Sequence, residues 1–262
     1  MDIQQNLPNY LERLKIKTLN AMQLAALEAT AMHPELILLS NTGSGKTLAF
    51  LLAMLSHIDE NNPHTQVLIM VPSRELVLQI DEVFRKMGTP FKVTLCYGGH
   101  KREIEEQNLV QAPVIIIGTA GRLADHIRRR NIETDSIHLL ILDEFDKSME
   151  LGFHEEMAFI IQSLKNVTRK ILTSATATDQ LPELFQLHEP HQLNYILAGE
   201  EASNFALEMF TLFSPEKDKI NTLFNFLCYA NNRPCIVFCN HRDAVERVAQ
   251  LIAEKGIRTT FY

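Results

Sequence analysis

Positive charge is in short supply in this chain. Its 25 lysines and arginines stand against 32 acidic residues among 262, for a formal net charge of −7. That balance weighs against a protein that coats nucleic acid by bulk electrostatics, although a narrow basic track on one face is compatible with it. No apolar run is long enough to span a membrane, so no membrane partner is expected. The N-terminus lacks the charged and apolar pattern of a signal peptide. Cysteine is also scarce: the four present form no close metal-ligand quartet, which fits a reducing, cytoplasmic setting. Cys235 and Cys239 would share one face of a strand, and without a second pair they read as core thiols rather than as a zinc site. No internal repeat or low-complexity run is visible. A hydrophobic content of 46% supports a real core, and at ~150 residues per domain the length predicts one large domain and part of another.

What stands out against this background is a cluster of acid. Asp143-Glu144-Phe145-Asp146 follows Ile137-His138-Leu139-Leu140-Ile141-Leu142, a short apolar run that reads as a strand buried on both faces. Three carboxylates at a strand exit are costly unless a cation sits with them, and Mg²⁺ on a nucleotide meets that need. The alternative is a solvated acidic turn. Far upstream, Ser40-Asn41-Thr42-Gly43-Ser44-Gly45-Lys46-Thr47 separates the apolar strand Leu36–Leu39 from an apolar helical stretch, Leu48–Ile58. The glycines permit a tight turn in which successive backbone N–H groups face phosphate oxygens, and the following helix adds its positive end. Lys46 would reach the β- and γ-phosphates, and the Thr47 hydroxyl would ligate Mg²⁺. The first position of the phosphate-loop pattern holds Ser40 rather than glycine, and a plain helix-capping turn is the competing reading. Loop and acidic exit together define an NTPase in which Asp143 holds Mg²⁺ and Glu144 orients or deprotonates the attacking water.

Apolar strands are expected at 67–71, 93–96, 114–117, 137–142 and 171–174. Amphipathic helices are expected between them at 74–86, 104–110, 123–130 and 155–164. The alternation predicts an α/β fold, a doubly wound parallel sheet with functional loops at the carboxyl ends of its strands. Arg128-Arg129-Arg130 reads as charge compensation at a helix C-terminus rather than as a nucleic-acid contact.

Taken in order, the motifs resemble those of the DEAD-box RNA helicases of superfamily 2, and the resemblance runs over essentially the whole chain. Thr42-Gly43-Ser44-Gly45-Lys46-Thr47 is similar to that family's phosphate loop, and Asp-Glu-Phe-Asp stands where it has Asp-Glu-Ala-Asp. Ser174-Ala175-Thr176 resembles the motif that couples hydrolysis to the nucleic-acid site by hydrogen-bonding the acidic motif, which implies that Asp146 pairs with Ser174 and Thr176. Pro72-Ser73-Arg74-Glu75-Leu76, Gly98-Gly99 and Thr119-Ala120-Gly121-Arg122-Leu123 resemble the family's RNA-backbone segments. The resemblance implies that Pro72, Arg74, Gly98, Gly99, Thr119, Gly121 and Arg122 line a sequence-independent RNA track, gripping phosphates and sugars and favouring RNA through its 2′-OH. Gln23, twenty-three residues before Lys46, would select adenine, because its amide offers both donor and acceptor. The competing reading is an exposed glutamine on an amphipathic helix. Phe145 reads as a packing variant beneath the next helix.

The family's organisation implies a RecA-like ATP-binding domain over residues 1–198 and a linker over 199–205. The first part of a second RecA-like domain would follow over 206–262, with strands at 208–213, 235–239 and 259–262 and a helix at 242–255. The later family motifs that supply arginine fingers have no counterpart here, so slow hydrolysis by the chain alone is expected. An ATP- and Mg²⁺-dependent RNA helicase is the leading expectation. A non-catalytic, nucleotide-gated RNA clamp and a DNA-directed helicase of the same superfamily are the alternatives. Protein partners, the RNA and its pathway are not named by any residue.

Overall fold

The computed structural model describes residues 3–99, 101–176, 183–196, 208, 210–231 and 233–261. Its Cα positions divide into two compact units, Met1–Ala202 and Ser203–Tyr262. The expected linker at 199–205 lies outside the described residues.

The first unit is built on seven strands: β1 (Glu35–Ser40), β2 (Val67–Val71), β3 (Val93–Cys96), β4 (Ile115–Thr119), β5 (Leu139–Leu142), β6 (Arg169–Ser174) and β7 (His191–Tyr195). They form one sheet in the order β3-β4-β2-β5-β6-β1-β7, and every neighbouring pair is parallel. All residues of β1, β2 and β5 are buried, as strands covered on both faces must be. The two-residue period sorts their side chains. Leu36, Leu38, Ile69, Ile117 and Ile141 pack on one face with α2 (Ala21–Met32), α3 (Lys46–Leu55) and α4 (Arg74–Met87). Ile37, Leu39, Leu68, Met70, Ile116, Leu140 and Leu142 pack on the other with α6 (Ala120–Arg128) and α8 (His154–Ser163). The doubly wound parallel sheet expected from the alternating pattern is the architecture found.

Elements without a strong apolar signature were not legible. At the sheet edge, β7 reads His-Gln-Leu-Asn-Tyr and only Leu193 joins the core. N-terminal α1 (Ile3–Leu14) packs on the first face through Tyr10, and short α7 (Phe145–Glu150) on the second through Phe145, as does α5 (Arg102–Val110), where a helix was expected, through Leu109. Arg128 ends α6 and lies 4.5 Å over the Phe159 ring, while Arg129 caps the helix and bonds Asp125 at 2.8 Å.

The second unit holds α9 (Ile220–Tyr229) and α10 (Arg242–Glu254), the latter where a helix was expected. The strands expected at 208–213, 235–239 and 259–262 are not formed among the described residues. Apolar, β-branched composition marks a segment able to become a strand, but a strand also needs a hydrogen-bonding neighbour. Without one, Ile236 and Phe238 are exposed. Cys235 is exposed and Cys239 only half-buried, so neither is the core thiol anticipated.

Candidate functional site

Strand order decides where the motifs meet. Three adjacent strands, β5, β6 and β1, end in the acidic motif, in Ser174-Ala175-Thr176 and in the phosphate loop. The three strands on the far side, β3, β4 and β2, end in Gly98-Gly99, Thr119–Leu123 and Pro72–Leu76. Sequence spacing carries no information about this partition.

The phosphate loop leaves β1 with Ser40 fully buried and its Oγ 2.8 Å from Ser44 Oγ, a cross-brace that gives the non-glycine first position a role. Gly43 and Gly45 have φ of 81° and 91°, a left-handed backbone that costs other residues ~1–2 kcal/mol. A Cβ on Gly45 would also lie 2.5 Å from Gln23 Nε2. Thr42 and Gly43 are exposed and Thr47 is half-buried in the first turn of α3. Lys46 is buried, and its ammonium donates to the Ser40 and Asn41 carbonyls at 2.5 and 3.0 Å. Burial lowers its pKa, while Asp143, Glu144 and Asp146 each push it back up, which places the two motifs within electrostatic reach.

Gln23 is not an exposed helix residue. It is 6% exposed and closes a capping box with Asn20: Gln23 N–H donates to Asn20 Oδ1 at 2.9 Å, and Asn20 N–H donates to Gln23 Oε1 at 3.0 Å. Gln23 Nε2 then donates to Gly45 O at 3.2 Å, and Asn20 Nδ2 to Ser44 O at 3.0 Å. The start of α2 is thus tied to the loop. The signal was present in the sequence, since Asn-x-x-Gln before an apolar helix is a capping-box pattern.

At the exit of β5, Asp143 is 3% exposed and its N–H donates to Met70 O at 3.0 Å. Glu144 adopts a left-handed backbone, φ 49° and ψ 50°, and caps α7. Its carboxylate receives Lys147 Nζ at 2.9 Å, and that bond raises the Lys147 pKa. Phe145 turns away from the carboxylates into the core, 2% exposed, with its ring 5.2 Å from Phe185 in an edge-to-face contact. Thr176 Oγ1 donates to Asp146 Oδ2 at 2.8 Å. Ser174 reaches that pair indirectly, by accepting Thr176 N–H at 2.9 Å. Asp146 Oδ1 is buried with no hydrogen-bond partner.

These groups suit a hard divalent cation. The donors are oxygens, one buried carboxylate oxygen is orphaned, and the buried carboxyl of Asp143 is short of compensating charge. Burial pushes Asp143 up to about 6, with the Thr173 hydrogen bond opposing and Glu144 adding to the rise. The folded state therefore holds this proton more tightly than the unfolded chain does. Ionised Asp143 costs stability above that pH, and the cost fades as the pH falls through it. Asp143→Asn is expected to raise the melting temperature of the nucleotide-free protein at about pH 7.5, with the gain shrinking towards about pH 5. Calorimetry at the two pH values checks this.

On the other half of the sheet's carboxyl end, Arg74 is exposed, lies 5.2 Å over the Tyr97 ring and approaches Gly99. Gly98 and Gly99 are exposed, Thr119, Gly121 and Arg122 are half-buried, and Pro72 is buried. Glu105 was missed by sequence reasoning, because nothing in an amphipathic helix marks one glutamate as buried. Its carboxylate accepts Tyr97 N–H at 2.9 Å, meets His126 Nε2 at 2.6 Å and lies 3.5 Å from Arg122 Nε. Asn131 Nδ2 faces His126 Nδ1 at 3.1 Å, leaving Nε2 as the protonated nitrogen. Cys96 adjoins this group, and burial pushes its thiol pKa up, keeping it protonated. Hydrogen bonds account for the cluster, and the neighbouring guanidinium disfavours a cation there.

Among the described residues, no helix is long and apolar enough to cross a membrane. In comparison with known proteins, the family described as DEAD/DEAH box helicase matches residues 20–184. The ATP-dependent RNA helicase CshA of Listeria monocytogenes is 30% identical over 226 residues, which is 85% of this chain and 43% of that protein. Eukaryotic initiation factor 4A of Caenorhabditis elegans is 26% identical over 239 residues, covering 90% of this chain and 59% of its own. The chain spans about half the length of these curated relatives. The crystal structure of a DEAD box protein from Methanococcus jannaschii superposes with a TM-score of 0.68 at 23% identity, covering 98% of this chain and 69% of that one. At that identity the likeness concerns the fold.

Proposed function

This chain belongs to the DEAD/DEAH box helicase family, and from that premise we propose that it binds ATP with Mg²⁺ and RNA on two halves of the carboxyl end of one sheet, as part of an ATP-dependent RNA helicase. The observation that supports this most is the partition of the loops: β5-β6-β1 present the phosphate loop and carboxylates, β3-β4-β2 the Arg74, Gly98-Gly99 and Arg122 segments.

In this reading the Gly43–Lys46 backbone and the start of α3 receive the phosphates. The Lys46 ammonium exchanges its two carbonyl partners for β- and γ-phosphate oxygens. Thr47 and Asp143 would hold Mg²⁺, which when bound neutralises phosphate charge and polarises the terminal phosphoryl group. Glu144, steadied by Lys147, orients the attacking water and accepts its proton. Thr176 on Asp146 reports the state of the acidic motif to β6. Arg74, the Gly98-Gly99 amides, Thr119, Gly121 and Arg122 contact RNA phosphates and sugars without reading bases. Gln23 faces the adenine with the amide hydrogen it does not commit to Gly45. The relatives' names, ATP-dependent RNA helicase among them, agree with this assignment.

The test is fluorescence anisotropy of a labelled single-stranded RNA and a matched DNA, with and without a non-hydrolysable ATP analogue and Mg²⁺. The analogue is expected to tighten RNA binding and to leave DNA the weaker ligand. Gln23→Ala is expected to reduce the preference for ATP over GTP, and loss of its side-chain bonds to Asn20 N–H and Gly45 O should cost ~0.5–1.5 kcal/mol each. Equal binding of DNA, or indifference to the analogue, would overturn the proposal.

A further inference from the structure

The end of β6 presents two hydroxyls to the acidic motif, and only one belongs to the Ser174-Ala175-Thr176 segment. The other is Thr173, fully buried, whose register partner on β1 is Leu38. Its Oγ1 accepts the Glu144 N–H at 3.1 Å and donates to Asp143 Oδ1 at 2.5 Å. One hydroxyl thus uses both of its capacities on consecutive residues of the motif. Glu144 needs such a tie, because its left-handed backbone is uncommon for a residue with a side chain. The donor to Asp143 fixes one carboxylate oxygen and so determines which way the other faces. Nothing in strand formation demands the hydroxyl. Valine has the same branched shape and at least the same preference for a buried strand.

We infer that Thr173 is the positioning residue of the nucleotide site: its hydroxyl locks the Asp143 carboxylate for Mg²⁺ and aims Glu144, without touching the ligand. The inference rests on the nucleotide-binding reading above and deepens it. Hydroxyls and carboxylates that orient metal ligands typically cost about 10–100-fold in metal affinity when removed.

The experiment titrates Mg²⁺ into the 262-residue chain with a fluorescent ADP, and repeats the nucleotide titration in EDTA. Thr173→Val is expected to raise the half-saturating Mg²⁺ concentration by about 10-fold or more. Its nucleotide affinity in EDTA should stay within about twofold, since Lys46 and the loop backbone are untouched. Thr173→Ser, which keeps the hydroxyl, should remain within about threefold of the unmodified chain in both titrations. In an Asp143→Asn background, Thr173→Val should add no further loss, because the carboxylate it acts through is gone. A purely structural role would instead weaken both titrations together and persist in that background. Should Thr173→Val not fold, Thr173→Cys replaces it, with the same expected direction. An unchanged Mg²⁺ requirement in the folded variant overturns the inference. If the unmodified chain's nucleotide binding ignores Mg²⁺ altogether, the functional reading fails first, and that outcome is visible without any Thr173 variant.

Discussion

Glu144→Gln is expected to slow ATP turnover by about 10²–10⁴-fold while leaving ATP affinity within a few-fold. The size follows from what the substitution removes. Glutamine keeps the length of the side chain and an acceptor oxygen, but it cannot take a proton from water. In the proposed reading nucleotide affinity resides elsewhere, in the loop amides, Lys46 and the groups proposed for Mg²⁺. The Lys147 contact at 2.9 Å would persist as a hydrogen bond rather than an ion pair. The measurement is single-turnover hydrolysis of labelled ATP with protein in excess, so that a slow basal rate does not hide the effect. Turnover within threefold of the unmodified protein would remove Glu144 from the chemistry.

Phe145→Ala should do the reverse, costing stability rather than catalysis. The ring is 2% exposed, packs edge-to-face on Phe185 and belongs to the core on the α6 and α8 face. Deleting such a side chain costs about 3–5 kcal/mol, from lost transfer energy and the cavity left behind. Thermal or urea unfolding reads the loss, and nucleotide affinity of the protein still folded should change little. A stability change under about 1 kcal/mol would mean that the core closes over the vacated volume. A large loss of affinity would mean that Phe145 shapes the carboxylates after all.

These two neighbours show what one-dimensional reading could and could not reach. Asp143 and Glu144 stood out as candidates because carboxylates after a fully apolar strand are costly without a cation, and the glycine loop supplied a reason for one. The sheet was legible for the same physical reason: central parallel strands are continuously apolar, so β1, β2 and β5 announce themselves. β7 is hidden because an edge strand needs little apolar surface. The segment at 235–239 misled in the opposite sense, since apolar composition does not guarantee a partner. Glu105 and Thr173 were invisible because burial of a polar side chain is decided by what arrives from distant strands. Thr173 is 30 residues from Asp143 in sequence and one hydrogen bond from it in space. Gln23 was found as a candidate, yet its bond to Gly45 emerged only from the fold, while its cap with Asn20 was written in the Asn-x-x-Gln pattern.

The order of the strands has a consequence for how such a protein can change over generations. The β2–β5 boundary separates the loops proposed for phosphate chemistry from those proposed for the polymer, and the Asp143 N–H to Met70 carbonyl bond crosses it. Side-chain substitutions on the β3-β4-β2 side can accumulate with little effect on the Lys46 and Asp143 surroundings, because the Met70 bond is made by backbone and side chains that share no partners change stability and binding nearly independently. In the proposed reading one half of the loops is free to drift towards new polymers while the other keeps the same fuel.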